Sequence, residues 1–561
     1  MFLDFMNEVQ SLLYEAAKVC GWDQIPPDGF GMLEISPHAD LASSITFRLA
    51  PQLSKSPQSI AKDLCDAIEI PLGSHVDRVE QAGPYLNFFM SNSALASILW
   101  EAQGGDCWKG RLSQRVIVEH TSANPNGPLH VGHIRNSVIG DTLARVLRRA
   151  GCTVETQYYV NDMGRQIAMV VWGCDHYPLE EIKADHAIAK VYIEANRAIA
   201  ERPELVSEIN RQIQLYEAGD PQAVEKVRVA VDYAISGIED TLHRLNIRHD
   251  SYHWESEYAR SGEMANLVER LEGTGLTSWE DGSLQLDLSA KGFEKNMVLM
   301  RADGTSLYIS RDLAYHRWKS ERCDRIVDVL GADHKLISAQ LRTALDLLGI
   351  PAPEVVIFEF VSLPTGSMST RRGKFITADE LLDEVEKQAF MEVSTRRPEE
   401  SEDFRREVAR EVALGAVRYD VVKVSPEKAT TFDWKAALDF EKLSAPFIQY
   451  SHARACSILR KADLPEQFDP SLLTGEAEVA LIKKIAQFDL VVDKAARELK
   501  PHQFATYARE LAEAFNGFYR YSPVIEAPAG LREARLALVN AARNALYVTL
   551  DTLGITALES M

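Results

Sequence analysis

Apolar positions along the chain follow three successive patterns. Residues 2–19 place apolar side chains at 2, 5, 6, 9, 12, 13, 16 and 17, the spacing of one helix face, and Gly21 ends it. Short β-like runs at 31–36 and 44–49 predict strands, and 57–69 predicts a helix. Two further strands are predicted at 76–80 and 85–90, parted by the turn signal Gln-Ala-Gly-Pro. These elements make an α+β unit over 1–110, closed by Gly104, Gly105 and Gly110.

The pattern then changes. Residues 115–120 read as a strand with an apolar centre at Val116, Ile117 and Val118. A loop rich in Asn, Pro and Gly follows at 121–128, then a long helix at 129–150 and a strand at 153–160. The alternation resumes with a strand at 325–330, a helix at 335–348 and a strand at 355–360. Between the two halves, 178–246 is helical and charged and reads as an insertion, and 283–309 is rich in strand patterns. The fold class predicted is α/β, a doubly wound (Rossmann-like) domain over 111–378. From 379 onward the spacing is helical, broken at Pro426, Pro465, Pro470, Pro501 and Ser522-Pro523. That gives a helical connector over 379–440 and an all-α bundle over 441–561.

Composition narrows the function classes. The 561 residues are 46% hydrophobic and 25% charged, as in folded globular chains. The net charge of −21 argues against a general nucleic-acid binder. Residues 441–561, however, hold 14 Lys and Arg against 15 Asp and Glu, so the excess acid lies before them. The two ends of the chain can therefore serve different partners. None of the seven cysteines forms a C-x-x-C pair, which argues against structural zinc and for a reduced, cytoplasmic setting. No apolar run approaches the roughly 18 residues of a membrane span, and Asp4 and Glu8 are unlike a secretory signal.

The first candidate chemistry is the loop Asn124-Pro125-Asn126-Gly127-Pro128-Leu129-His130-Val131-Gly132-His133. It leaves a strand at the carboxyl edge of the predicted sheet, where open α/β folds bind ligands. It then enters a helix whose free N–H groups favour anions. His130 and His133, three residues apart, share a face, and Gly132 removes a side chain between them. Such a pair can donate hydrogen bonds to a triphosphate as charge moves toward its leaving group. A second feature is acidic. Glu119 closes the first strand, and Asp312 follows Tyr308 by four residues. Carboxylates are what a guanidinium fork requires.

The His-Val-Gly-His run resembles the HIGH signature of class I aminoacyl-tRNA synthetases. The wider run 118–136, together with Tyr158–Gln166, resembles the arginyl-tRNA synthetase family in particular. So do Leu307–Asp312, Gly331–His334, Gln449–Arg454 and Leu553-Gly554-Ile555. This resemblance implies ATP-dependent activation of L-arginine, with Mg2+ accompanying ATP, and transfer to the 3′-terminal adenosine of tRNA(Arg). It implies that Glu119, Tyr308 and Asp312 hold the guanidinium and that Asn124 and Gln340 hold the α-amino group. ATP would meet Asn126, Gly127, Pro128, His130, Gly132, His133, Gly331, Asp333, Met368 and Ser369. The helical C-terminus would bind the anticodon, the N-terminal unit would contact the tRNA, and the chain would act as a monomer. No protein-only metal cage is expected.

One departure stands out. Where the class carries Lys-Met-Ser-Lys-Ser, this chain has Ser367-Met368-Ser369-Thr370-Arg371-Arg372-Gly373-Lys374. The lysine that some relatives place just before the first signature is here Gly127. Arg371, Arg372 or Lys374 is the candidate for the missing charge. The missing lysines also motivate the rival reading of a non-catalytic tRNA-binding paralogue. Among the C-terminal aromatics, Tyr450, Phe504, Tyr507, Phe518, Tyr519, Tyr521 and Tyr547 could stack on bases. Helix spacing puts most of them in the core and leaves Tyr519-Arg520-Tyr521 as the surface candidate.

Overall fold

Val116, Ile117 and Val118 are apolar without alternation, so their strand needs cover on both faces, and it lies inside a parallel sheet. In the computed structural model five strands run parallel in the order Glu354–Phe358, Arg325–Gly331, Arg115–Glu119, Thr153–Val160, Ser251–Trp254. The structure describes the chain except residues 23, 25–29, 302–307, 363–375 and 442–443, and except the side chains of Asp106 and Tyr308. Chain order reverses between Arg115–Glu119 and Arg325–Gly331. That boundary is the topological switch point at which doubly wound sheets bind ligands.

The helix Val131–Arg149 leaves the central strand and buries Ile134, Val138, Ile139 and Leu143. It packs closely, because a Cβ on Gly140 would lie 2.2 Å from Cβ of His120. The insertion forms three helices, Ala184–Glu201, Leu205–Glu217 and Pro221–Arg244. An antiparallel three-stranded sheet, Thr277–Glu280, Ser283–Leu286 and Met297–Arg301, follows the fifth-strand edge.

The N-terminal unit packs the helix Phe2–Val19 and three shorter helices on a four-stranded antiparallel sheet. One predicted strand is corrected. Residues 45–53 are a helix, Ile45–Leu53, although 44–49 reads as β. Ile45, Thr46 and Leu49 are the buried positions, a helical spacing that alternating β-branched residues disguise. The bundle contains Ala445–Leu459, Glu476–Ala486, Phe488–Glu498, Pro501–Tyr521 and Leu531–Thr552. It meets the N-terminal unit through Lys483 on Asp40 at 2.7 Å and Trp100 stacked on Phe468 at 3.9 Å. No described helix is long and apolar enough to cross a membrane.

A buried arginine joins the units. Arg418, on the connector helix Glu402–Val422, meets Asp141 of the helix Val131–Arg149 at 2.5 Å. It also donates to the carbonyls of Leu553 at 2.8 Å and Leu245 at 2.7 Å. One guanidinium thus ties the connector, the sheet domain, the end of the insertion and the C-terminal helix. Arg418→Met would leave two buried carbonyls without that donor and Asp141 with only Arg145. Breaking such a pair costs about 3–5 kcal/mol. A lowered thermal unfolding midpoint for the purified variant is the expected reading.

Candidate active site

The strand Arg115–Glu119 exits through two residues with left-handed backbone, Thr121 (φ 69°) and Ser122 (φ 40°). For non-glycine residues that conformation costs of order 1–3 kcal/mol and persists only where surroundings enforce it. Here they do. The Thr121 N–H donates to Asn136 Oδ1 at 2.7 Å, and its hydroxyl donates to Ser137 at 2.7 Å. The Ser122 hydroxyl donates to Glu119 Oε1 at 3.2 Å and accepts from the Tyr159 N–H at 3.0 Å. Tyr158 donates to the Ala123 carbonyl at 2.7 Å. The loop that delivers Asn124 and the histidines is therefore held from both neighbouring elements.

His130 caps the helix it opens. Its Nδ1 accepts from the Gly132 N–H at 3.1 Å, and His133 Nδ1 accepts from the His130 N–H at 3.2 Å. The rings stack at 3.7 Å with 21° between planes. Burial pushes the His130 imidazole below its usual range. Burial, with His130 beside it, takes His133 down to about 3. Both rings are thus neutral at pH 7. With each Nδ1 accepting, the proton sits on Nε2, so each ring presents an N–H donor at a positive helix end.

At the end of the strand that leads into this loop, a row of polar residues crosses the sheet. In register, Gln157, Glu119 and Asp328 stand side by side on three adjacent strands. The helix Tyr308–Ser320 lies over them. Tyr315 donates to Gln157 at 2.6 Å. Lys319 meets Glu119 Oε2 at 2.5 Å and Asp328 Oδ1 at 3.0 Å. His316 meets Asp328 at 2.7 Å and Asp312 at 3.3 Å. Burial pushes the Glu119 carboxyl up, with Asp328 and Asp312 adding to it against Lys319. Burial also opposes the charge on Asp328, but Lys319 and His316 hold it well below the usual carboxylate range. His316 resists burial and Lys319 because Asp328 and Asp312 raise it to about 10. Three carboxyl groups thus face two cations, which leaves the wall short of one positive charge.

The remaining predicted residues fall as follows. Asn124 and Asn126 both donate to Gln166 Oε1, at 3.1 and 3.4 Å. Gly127 and Pro128 continue the loop, and a Cβ on Gly127 would lie 3.2 Å from Ala189. Gln340 is buried and donates to the Lys295 carbonyl at 2.8 Å. Gly331 ends its strand, and Asp333 sits exposed in the single 3-10 turn that follows. Tyr308 opens a helix rather than lying in a strand, so the strand-rich stretch expected to 309 stops at Arg301 among the described residues. Its side chain lies outside the described atoms. Asp312 is correspondingly an interior position of that helix. Met368, Ser369, Arg371, Arg372 and Lys374 lie outside the described residues.

The described flank after that segment is tied beside the histidines, and the flank before it is held by Arg135 of the same helix. Thr377 forms an isolated β-bridge with His130, and the Ala378 N–H donates to the Leu129 carbonyl at 2.7 Å. Val361–Ser362 pairs with Thr430–Thr431. The fully buried Arg135 donates to carbonyls of Glu359, Phe360, Ser425, Pro426 and Lys428.

Sequence reasoning missed Lys319, His316, Asp328 and Arg135. A charge inside the apolar run Arg325–Gly331 was the one visible signal, for Asp328. Among the C-terminal aromatics, Phe504, Tyr507 and Phe518 are core, whereas Tyr450, Tyr519, Tyr521 and Tyr547 are exposed. Arg454 lies 4.6 Å from the rings of both Tyr450 and Tyr519. One group of described residues, Asp185, His186 and Asp379, has metal-ligand donors within 4.8 Å of one another. Lys183 already meets Asp379 at 2.7 Å and Asp185 at 3.0 Å, so cationic side chains fill that place.

Comparison with known proteins agrees with this geometry. Residues 95–434 match the family model of the catalytic domain of class I tRNA synthetases (R). Residues 448–561 match the DALR anticodon binding domain, and 26–90 the arginyl tRNA synthetase N terminal domain. The chain is 65% identical to the arginine–tRNA ligase of Methanothrix thermoacetophila and 55% identical to that of Methanosarcina mazei, in both cases over all of both chains. The solved Thermus thermophilus arginyl-tRNA synthetase superposes with a TM-score of 0.85 at 31% identity, covering 99% of each chain. The doubly wound catalytic domain and the helical C-terminus are those of a class I tRNA synthetase. The chain belongs to the arginyl-tRNA synthetase family.

Gly132→Ala tests the histidine geometry. The added Cβ would lie 2.9 Å from Cε1 of His130 and push the ring off its partner. A drop in kcat of about 10²-fold is expected from such misplacement, read by ATP–pyrophosphate exchange with tRNA present.

Proposed function

We propose that this chain ligates L-arginine to tRNA(Arg). ATP, with Mg2+ on its phosphates, is a substrate. The arginine carboxylate attacks the α-phosphorus, pyrophosphate leaves, and arginyl-adenylate forms. A ribose hydroxyl of the terminal tRNA adenosine then attacks the acyl carbon, and AMP leaves. The chain supplies position and charge, and no covalent enzyme intermediate is required. His130 and His133 donate from Nε2 to phosphate oxygens as negative charge moves toward the leaving group. Glu119, Tyr308 and Asp312 receive the guanidinium, and Asn124 and Gln340 receive the α-amino group. Asn126, Gly127, Pro128, Gly132, Gly331, Asp333, Met368 and Ser369 surround the nucleotide. The observation that carries the reading is the acidic row one strand-end away from the stacked histidines, with one positive charge lacking.

The anchoring of residues 377–378 at Leu129 and His130, and of Glu359 and Phe360 on Arg135 of the same helix, supports Arg371, Arg372 or Lys374 as the cation for the pyrophosphate. The exposed tyrosines around Arg454 support anticodon stacking, and the N-terminal unit is assigned the outer part of the tRNA. The chain is assigned to act as a monomer in the cytoplasm, which sedimentation and fractionation would check.

Incubation with ATP, arginine and tRNA should yield charged tRNA, and its absence under those conditions favours the paralogue reading. Asp312→Asn should raise the arginine KM by about 10-fold or more, since a charge-assisted bond contributes roughly 1.5–3 kcal/mol. Alanine at Arg371, Arg372 or Lys374 should lower kcat for at least one position. Wild-type activity in all three would refute the cation assignment. The pH dependence follows from Glu119. Burial raises its carboxyl in the free protein, and it binds a guanidinium as the carboxylate, so protonation competes with binding. The arginine KM should therefore climb as pH is lowered through that raised value, and a flat KM profile would count against Glu119 as a ligand.

A further inference from the structure

The acidic row assigned above to the substrate guanidinium already holds a cation of the chain itself. Lys319 is fully buried, 0% exposed, and its Nζ sits between Glu119 Oε2 and Asp328 Oδ1. The third side of the amine faces the Tyr315 ring, 4.1 Å from its centroid. Helix side chains lean toward the helix N-terminus, so Lys319 reaches back under Tyr315 and His316 toward the turn that carries Asp312. Two carboxylates in lateral register would form a ready socket for any compact ammonium, because a point charge can sit between them. Lys319 fills that socket. What it leaves is the outer side of the Glu119 carboxylate, whose Oε2 meets Lys319 and whose Oε1 accepts from the Ser122 hydroxyl at 3.2 Å, and Asp312 nearer the helix N-terminus, with one oxygen turned to His316. A planar fork with five donors suits two carboxylates on different elements better than a single point charge does.

We propose that Lys319, seated on Asp328, is a specificity-determining residue of the amino-acid pocket: it occupies the point-cation site and so excludes lysine-like side chains while leaving a split pair of carboxylates for a guanidinium. Asp328 is the positioning residue that holds the Lys319 amine, and His316 ties Asp328 to Asp312. This rests on the assignment of Glu119 and Asp312 to the substrate guanidinium.

The test compares arginine charging with its inhibition by L-lysine and L-ornithine, and by L-canavanine as a guanidine-like probe, at saturating ATP and tRNA. In the wild type, L-lysine and L-ornithine should inhibit at least about 10²-fold more weakly than L-canavanine, in line with buried-charge mismatch. Lys319→Met and Lys319→Gln open the socket and should narrow that ratio by about tenfold or more. Lys319→Arg, which keeps a cation in place, should restore most of it. A purely structural role would lower kcat or raise every KM and leave the ratio where it was. A ratio within twofold of wild type in either neutral variant overturns the proposal. So does wild-type inhibition by L-lysine as strong as by L-canavanine, a measurement that needs no variant to fold. Failure of the substrate assignment looks different: arginine is not charged, or Asp312→Asn leaves the arginine KM unchanged.

Discussion

Two carboxylates, Glu119 and Asp328, stand in lateral register on adjacent parallel strands at the switch point, and neither is solvated. Left alone, two such anions would repel at short range in a medium of low dielectric. The arrangement stands because one helix brings Lys319 and His316 down onto it. The seating of that helix is thus not set by apolar packing alone. Its charged face is complementary to a row of strand positions, and the pocket wall is the residue of charge this complementarity leaves over. A structure built to bind nothing could have made the row apolar at no loss of stability, since buried ion pairs seldom outdo hydrophobic packing.

The helix Val131–Arg149 carries the mechanical side of the same design. Its first turn presents the histidines, Arg135 collects two carbonyls from the flank before 363–375 and three from residues 425–428, and Asp141 receives the connector arginine Arg418. The nucleotide signature, the base of the second loop and the C-terminal bundle are therefore fastened to one rigid element at successive turns. The Leu553 carbonyl, at the end of the C-terminal helix, accepts from the same guanidinium that holds Asp141. A displacement of the bundle that reaches Leu553 must either break that bond or move the signature helix.

The doubly wound sheet and the histidine pair were legible because their signals are local. An unbroken apolar triplet at 116–118 and two histidines three apart need no distant partner to be read. The helix at 45–53 was not legible, because Ile45, Thr46 and Phe47 have strand-like side chains and only tertiary burial of Ile45 and Leu49 decides the matter. Lys319 and His316 were illegible for a stronger reason. In sequence they look like the wet face of a helix ending in Arg317, Lys319 and Arg322. Lys319 is buried only because Glu119, 200 residues earlier, and Asp328 meet beneath it. Arg135 was hidden in the same way, since its acceptors are backbone carbonyls, which carry no sequence signal at all.

The same reasoning bears on the missing signature lysines. A cation over the pyrophosphate has to be placed by whatever holds the ends of its loop, not by its own identity. Thr377 against His130, Ala378 against Leu129 and Arg135 beneath Glu359 and Phe360 fix both flanks relative to the histidines. With the flanks so fixed, the proposal that Arg371, Arg372 or Lys374 supplies the charge requires only that the run between them carry a cation, not the usual pair of lysines. Charge at the transition state is what the chemistry requires, and guanidinium groups offer phosphate oxygens a bidentate match that ammonium groups lack. On that proposal the loss of the lysines changes which side chain carries the charge, while the described flanks stay tied to the helix that bears the histidines.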